Sequence, residues 1–252
     1  MASAKSYAQI ALLAACLASA QTKQQVTIAA AANLTDVCKT LGAEFEAETG
    51  LHPVFSFGST AQLTQQIENG APFDAFLAAD SEHPQKLDKE GLLSPGTRAV
   101  YATGVLALWV PPTSPAKIGR IADVASSDVK VIAVAKPELA PYGQATVETL
   151  TKLGVWDRVK AKIVYGDNIS MAKQYGTSGN ADVVFTAWSL VLKENGKVVQ
   201  VGEDLHKPIT QELGVLAKSS NQAPAKSFAE FLLVGKGREI LASNGYRVGK
   251  GK

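Results

Sequence analysis

The chain has 252 residues, of which 46% are hydrophobic and 19% charged. That balance suits a compact globular protein and argues against disorder. The formal net charge is +2, and the charges are scattered without a basic stripe, so there is no electrostatic case for nucleic acid or an anionic membrane as partner.

The first segment reads as an export signal. Lys5 supplies a positive start, and 10–20 is an apolar run, well short of the roughly 20 residues that span a bilayer. Ala18-Ser19-Ala20 is a cleavage pattern before Gln21, so 1–20 is expected to be a signal peptide and the mature protein periplasmic. Leu13-Ala14-Ala15-Cys16 resembles a bacterial lipobox, which leaves lipid anchoring through Cys16 as the alternative. After cleavage at Ala20 only Cys38 remains; it cannot form an internal disulfide and reads as a small core residue.

The rest alternates strand and helix. The apolar run 26–31 predicts a strand covered on both faces. Asn33 follows, then a helix whose Leu34, Val37, Cys38, Leu41 and Phe45 share one face. A strand over 54–57 leads through Gly58-Ser59-Thr60 into a helix carrying Leu63 and Ile67. Further strands are predicted over 74–79, 103–110, 129–135, 162–165, 181–187, 198–201 and 211–217, with helices between most of them and two helical stretches over 223–244. This order implies an α/β fold of parallel sheets flanked by helices. The pattern starts twice, near Val26 and near Val105. The expectation is therefore two lobes, 21–103 with 209–252 and 104–208, joined by crossings near Thr103 and Pro208.

Open α/β sheets bind ligands where strands end and helices begin. Four such turns stand out. Asn33 reads as an N-cap with Asp36 completing a capping-box-like pair, and Ser59 as another with Gln62. Thr60 adds a hydroxyl beside Ser59. Pro141-Tyr142-Gly143 and Asp167-Asn168-Ile169 open the other two helices. Each helix start leaves N–H groups free, and with the helix dipole these favour an anion. Any one turn alone is explained by helix capping; the set, two per lobe and all with neutral donors, points to oxyanion capture.

Enzyme signatures are thin. His52, His83 and His206 lack metal-ligand spacing and read as surface residues. There is no G-x-S-x-G elbow, no Rossmann fingerprint, and Gly235-Lys236-Gly237-Arg238 is not a P-loop. Neither an enzyme nor a resident cofactor is expected.

At these same residues the chain resembles the periplasmic molybdate-binding proteins of ABC importers. The resemblance runs from about Val26 to Val248. Its specific pieces are Ala29-Ala30-Ala31-Ala32-Asn33-Leu34-Thr35-Asp36, Phe55-Ser56-Phe57-Gly58-Ser59-Thr60, the stretch from Gly70 to Asp80, Pro137-Glu138-Leu139-Ala140-Pro141-Tyr142-Gly143 and Gly179-Asn180-Ala181-Asp182. It implies a two-lobed, type II-like binding protein that holds molybdate, and often tungstate, through hydroxyls and backbone amides, with no direct ligation of the metal. Carried over, the ligand set is Asn33, Ser59, Thr60, Tyr142 and Ile169. Asn33 stands where many relatives have serine. Phe185 matches a position where some relatives donate a tyrosine hydroxyl, which Tyr142 is expected to replace. The implied partners are the oxyanion and a membrane permease with a separate ATPase subunit, and the implied state is a monomer. The alternative is a binding protein for sulfate or another oxyanion; an exported hydrolase and a regulator's sensing domain have less support in the residues.

Overall fold

The computed structural model describes residues 24–249. The signal segment, the lipobox and Cys16 lie outside the described residues. In chain order the strands are β1 (Gln25–Ala31), β2 (His52–Gly58), β3 (Ala75–Leu77), β4 (Ala99–Gly104), β5 (Leu106–Val110), β6 (Ile132–Ala135), β7 (Ile163–Gly166), β8 (Val183–Ala187), β9 (Lys197–Gln200) and β10 (Ile209–Val215). The helices are α1 (Val37–Thr49), α2 (Thr60–Glu68), α3 (Glu82–Lys89), α4 (Pro141–Lys152), α5 (Trp156–Val159), α6 (Ile169–Thr177), α7 (Trp188–Val191), α8 (Gln222–Leu233) and α9 (Lys236–Ser243). Short 3-10 turns fill several connections. No helix among the described residues is long and apolar enough to cross a membrane.

The strands form two five-stranded sheets, ordered β2-β1-β3-β10-β4 and β7-β6-β8-β5-β9. These are the two lobes. Both are mixed rather than purely parallel. β10 runs antiparallel to β3 and β4, and β5 antiparallel to β8 and β9. The antiparallel members are the strands at which the chain passes between lobes, and an antiparallel neighbour needs no crossover helix. For the same reason the strand expected over 103–110 is two: β4 ends at Gly104 in the first sheet and β5 begins at Leu106 in the second. Between β5 and β6 the chain forms a 3-10 turn, Ile121–Ala125.

Alternate strand residues enter opposite layers, as the pleat demands. Ile28 faces a layer with Leu41, Phe45, Leu213 and Phe228, whereas Ala29 faces Leu63, Phe76 and Leu87. In the second lobe Val134 and Phe185 lie on one side, Ala133 and Val184 on the other. Phe45 meets Phe228 edge-on at 5.0 Å. Cys38 is buried in this layer, and burial pushes its thiol well above the usual range. β2 forms an outer edge of the first sheet, where Phe57 stacks on Phe55 at 6.0 Å and remains 40% exposed. The C-terminal segment returns to the crossing: Thr103 and Arg247 exchange two backbone hydrogen bonds of 2.7 and 2.9 Å, and the Arg247 side chain pairs with Glu203.

Candidate oxyanion site

The strand order puts four strand-to-helix turns at the carboxyl ends of β1, β2, β6 and β7, all parallel strands of their sheets. Asn33 lies in a 3-10 turn, Ala32–Leu34, rather than at the N-cap of α1. Asp36 holds the N-cap position of α1 and makes no capping bond there. Long-range partners explain the difference. Asn33 is 1% exposed; its Nδ2 donates to Gln211 Oε1 at 3.1 Å and to the Tyr246 hydroxyl at 3.2 Å. The side chain is drawn inward and cannot cap.

Ser59 does form a capping box with Gln62, as expected. Thr60 follows as the first residue of α2, and its hydroxyl accepts from Ala79 N at 3.1 Å. In the second lobe, Pro141 and Tyr142 are the first residues of α4, so the Tyr142 N–H has no intrahelical acceptor. Asn168 caps α6 by accepting from Met171 N at 3.0 Å, and the Ile169 N–H is the first of that helix. Asn33, Ser59, Thr60, Tyr142 and Ile169 are all buried.

Hydrogen bonds bring the turns of the two lobes together. Ser170 Oγ, beside Ile169, donates to Ala32 O at 3.0 Å. Ser189 Oγ donates to Asn33 O at 3.1 Å. Ala61 N, beside Thr60, donates to Leu139 O at 3.2 Å, just before α4. Lys173 on α6 reaches Asp36 at 3.7 Å and Glu194 at 2.6 Å. The first turn therefore abuts the starts of α6 and α7, and the second abuts the approach to α4.

Several of the charges around these turns are paired. Asp36 pairs with Lys39 and Lys173, Asp167 with Lys136 at 2.6 Å, and Asp80 with His83 at 2.7 Å. His83 is thus a paired, partly buried residue rather than a plain surface one, and Asp80 outweighs its desolvation to raise its pKa. His52 likewise pairs with Glu46 at 2.6 Å. Among the described residues no cluster of three or more His, Cys, Asp or Glu is placed to hold a metal ion.

The Tyr142 hydroxyl lies 3.0 Å from Gln211 Nε2. Gln211 is fully buried and also accepts from the Tyr101 hydroxyl at 2.8 Å. Tyr246 donates to Asn33 O at 2.6 Å. Burial pushes the phenols of Tyr101, Tyr142 and Tyr246 well above their ordinary value, so all three keep their protons. Phe185 lies in β8 and packs into the same apolar layer as Tyr142. Gln211, Tyr101, Tyr246, Ser170 and Ser189 were not singled out from sequence. Ser170 could have been, since it follows Ile169; the others reach the turns only through the fold.

The chain matches the family described as bacterial extracellular solute-binding protein over residues 26–247. It is 40% identical to the molybdate-binding protein ModA of Rhodobacter capsulatus over 223 residues, 88% of each chain. It is 38% identical to the ModA of Azotobacter vinelandii, covering 94% of this chain and 95% of that one. A solved periplasmic molybdate-binding protein from Azotobacter vinelandii superposes with a TM-score of 0.84 at 31% identity, over 89% of this chain and all of the other. A sulfate-binding protein from Mycobacterium tuberculosis shares the fold at 16% identity and a TM-score of 0.78. By these matches the chain belongs to the bacterial extracellular solute-binding proteins, in the group that contains the ModA proteins.

Proposed function

We propose that this protein captures molybdate, and tungstate as its near-isostere, between its lobes and delivers it to an ABC importer. One observation carries the reading: neutral turns at strand ends from both lobes are buried and hydrogen-bonded to one another, with Asp36 and Asp167 beside them held in ion pairs. The donors in this reading are the Asn33 side chain, Ser59 and Thr60 from one lobe and the Tyr142 and Ile169 N–H groups from the other. A hydrogen bond to a charged group contributes about 1.5–3 kcal/mol, so several offset the dianion's lost hydration. Helix N-termini add up to about 2 kcal/mol each when partly buried. The metal itself is not ligated; its oxygens accept.

Selectivity follows from donor-only chemistry. Hydrogen phosphate brings a proton that needs an acceptor, and without one a buried polar group stays unpaired. The lobes are taken as 21–103 with 209–252 and 104–208, after removal of 1–20 on export. Ligand bonds to both lobes favour the closed form, which the permease reads. The ATPase is a separate subunit, and the binding protein acts as a monomer without catalysis or a resident cofactor.

A thermal-shift panel on the mature protein tests this. At 100 times Kd a ligand adds about 2.7 kcal/mol, which raises Tm by roughly 5–10 °C for a chain of this size. Molybdate and tungstate are expected to do so, and phosphate not. No shift with either metal oxyanion, or a sulfate shift larger than theirs, overturns the reading.

A further inference from the structure

The amide of Asn33 has one open corner. Among the described residues, its Oδ1 is a buried side-chain polar atom with no hydrogen-bond partner. An orphan acceptor is the wrong group to offer an oxyanion. The oxygen and nitrogen of an Asn or Gln amide are assigned from the surrounding network, and this network has a second assignment in which every phenol proton has an acceptor. Asn33 and Gln211 share a bond of 3.1 Å, so their amides must turn together.

With both turned by 180°, Gln211 Nε2 donates to Asn33 Oδ1 across that 3.1 Å and to the Tyr101 hydroxyl across 2.8 Å. The Tyr101 proton goes to Ala78 O at 3.0 Å. Gln211 Oε1 then accepts the Tyr142 proton across 3.0 Å, a proton that otherwise has no acceptor in the network. Tyr246 keeps its donation to Asn33 O at 2.6 Å, and its 3.2 Å approach to the Asn33 amide becomes a contact between two oxygens. The open corner of Asn33 becomes an N–H. The phenols stay protonated because burial raises them, so the direction of each bond is fixed.

We propose that Gln211 is a positioning residue: held by the Tyr101 and Tyr142 hydroxyls, it turns the Asn33 amide so that Nδ2, and not Oδ1, is presented to the oxyanion. The inference rests on the proposed molybdate capture. It also sharpens selectivity, because the opposite orientation would offer an acceptor and admit a protonated anion.

A double-mutant cycle tests it by titration calorimetry with molybdate on the mature protein. Gln211→Met keeps the volume and removes the amide. Asn33→Ser supplies a hydroxyl whose direction does not depend on Gln211. Gln211→Met is expected to weaken molybdate at least 10-fold beside Asn33, and less than about 2-fold in the Asn33→Ser background, where only coupled residues show such non-additivity. Equal losses in both backgrounds, or no loss beside Asn33, overturn the positioning role. If Gln211→Met does not fold, side-chain amide NMR of the unmodified mature protein decides. The pair missing from Asn33→Ser spectra must shift on molybdate addition, and a pair that stays put overturns the inference. No molybdate binding by the unmodified protein would overturn the functional reading and this inference together, whereas binding without coupling overturns only the latter.

Discussion

Gly104 and the Tyr142 hydroxyl occupy adjoining space at the crossing between lobes. A methyl group at position 104 would collide with that hydroxyl and stand 2.5 Å from Gln211 Nε2. Glycine is required there by close approach, since the phenol of one lobe enters against the last residue of β4 in the other.

Gly104→Ala is therefore expected to destabilise the protein and weaken the ligand together. Overpacking costs about 1–3 kcal/mol, or roughly 2–12 °C in Tm for this size. Melting curves and calorimetry with molybdate would show both; an unchanged Tm would refute the tight match.

Ser170→Ala and Ser189→Ala each remove one bond from the second lobe to the first turn. A bond of this kind nets about 0.5–1.5 kcal/mol, so each change should weaken molybdate by roughly 2–10-fold while the ligand-free Tm moves little. Losses confined to Tm would mean that these bonds stabilise the lobes and not closure.

Lys173 lies between Asp36 of the first lobe and Glu194 of the second. The carboxylates are substantially exposed, so screening limits the pair to about 1 kcal/mol or less. Lys173→Met is expected to weaken molybdate less than about 5-fold and to flatten the salt dependence of its affinity. An affinity as salt-sensitive in the variant as in the unmodified protein would exclude Lys173 as a closing contact.

The buried phenols predict alkaline sensitivity. Their pKa values are raised in the folded state by desolvation, while unfolded tyrosines titrate near about 10. Above that pH the unfolded chain holds fewer protons than the folded one, so stability falls as pH rises. Urea midpoints should be level up to about pH 9.5 and decline beyond it, less steeply in Tyr101→Phe. A midpoint unchanged at high pH would contradict the burial of these hydroxyls.

Much of this was legible in local sequence. The run 26–31 and Ser59 with Gln62 act through neighbours within a few residues, and the structure forms both as β1 and a capping box. Asn33 was legible as a turn residue but not in its role. Its partners Gln211 and Tyr246 lie 178 and 213 positions away, and no periodicity encodes such distances. The antiparallel strands were missed for a related reason: an apolar run looks alike in either direction, and only the route of the chain between sheets sets the polarity of β4, β5 and β10. The break at Val105 is likewise hidden inside continuous apolar residues.

The outer edge of β2 has a bearing on handling the protein. Its free side offers backbone donors and acceptors to any passing strand, with Val54 and Phe57 adding exposed apolar surface. Pro53 withholds one N–H from that row, a natural obstacle to strand addition. Self-association at high concentration should therefore begin along β2, and Val54→Lys, which adds charge on this edge away from the four strand-to-helix turns, is the change that should keep the protein dispersed.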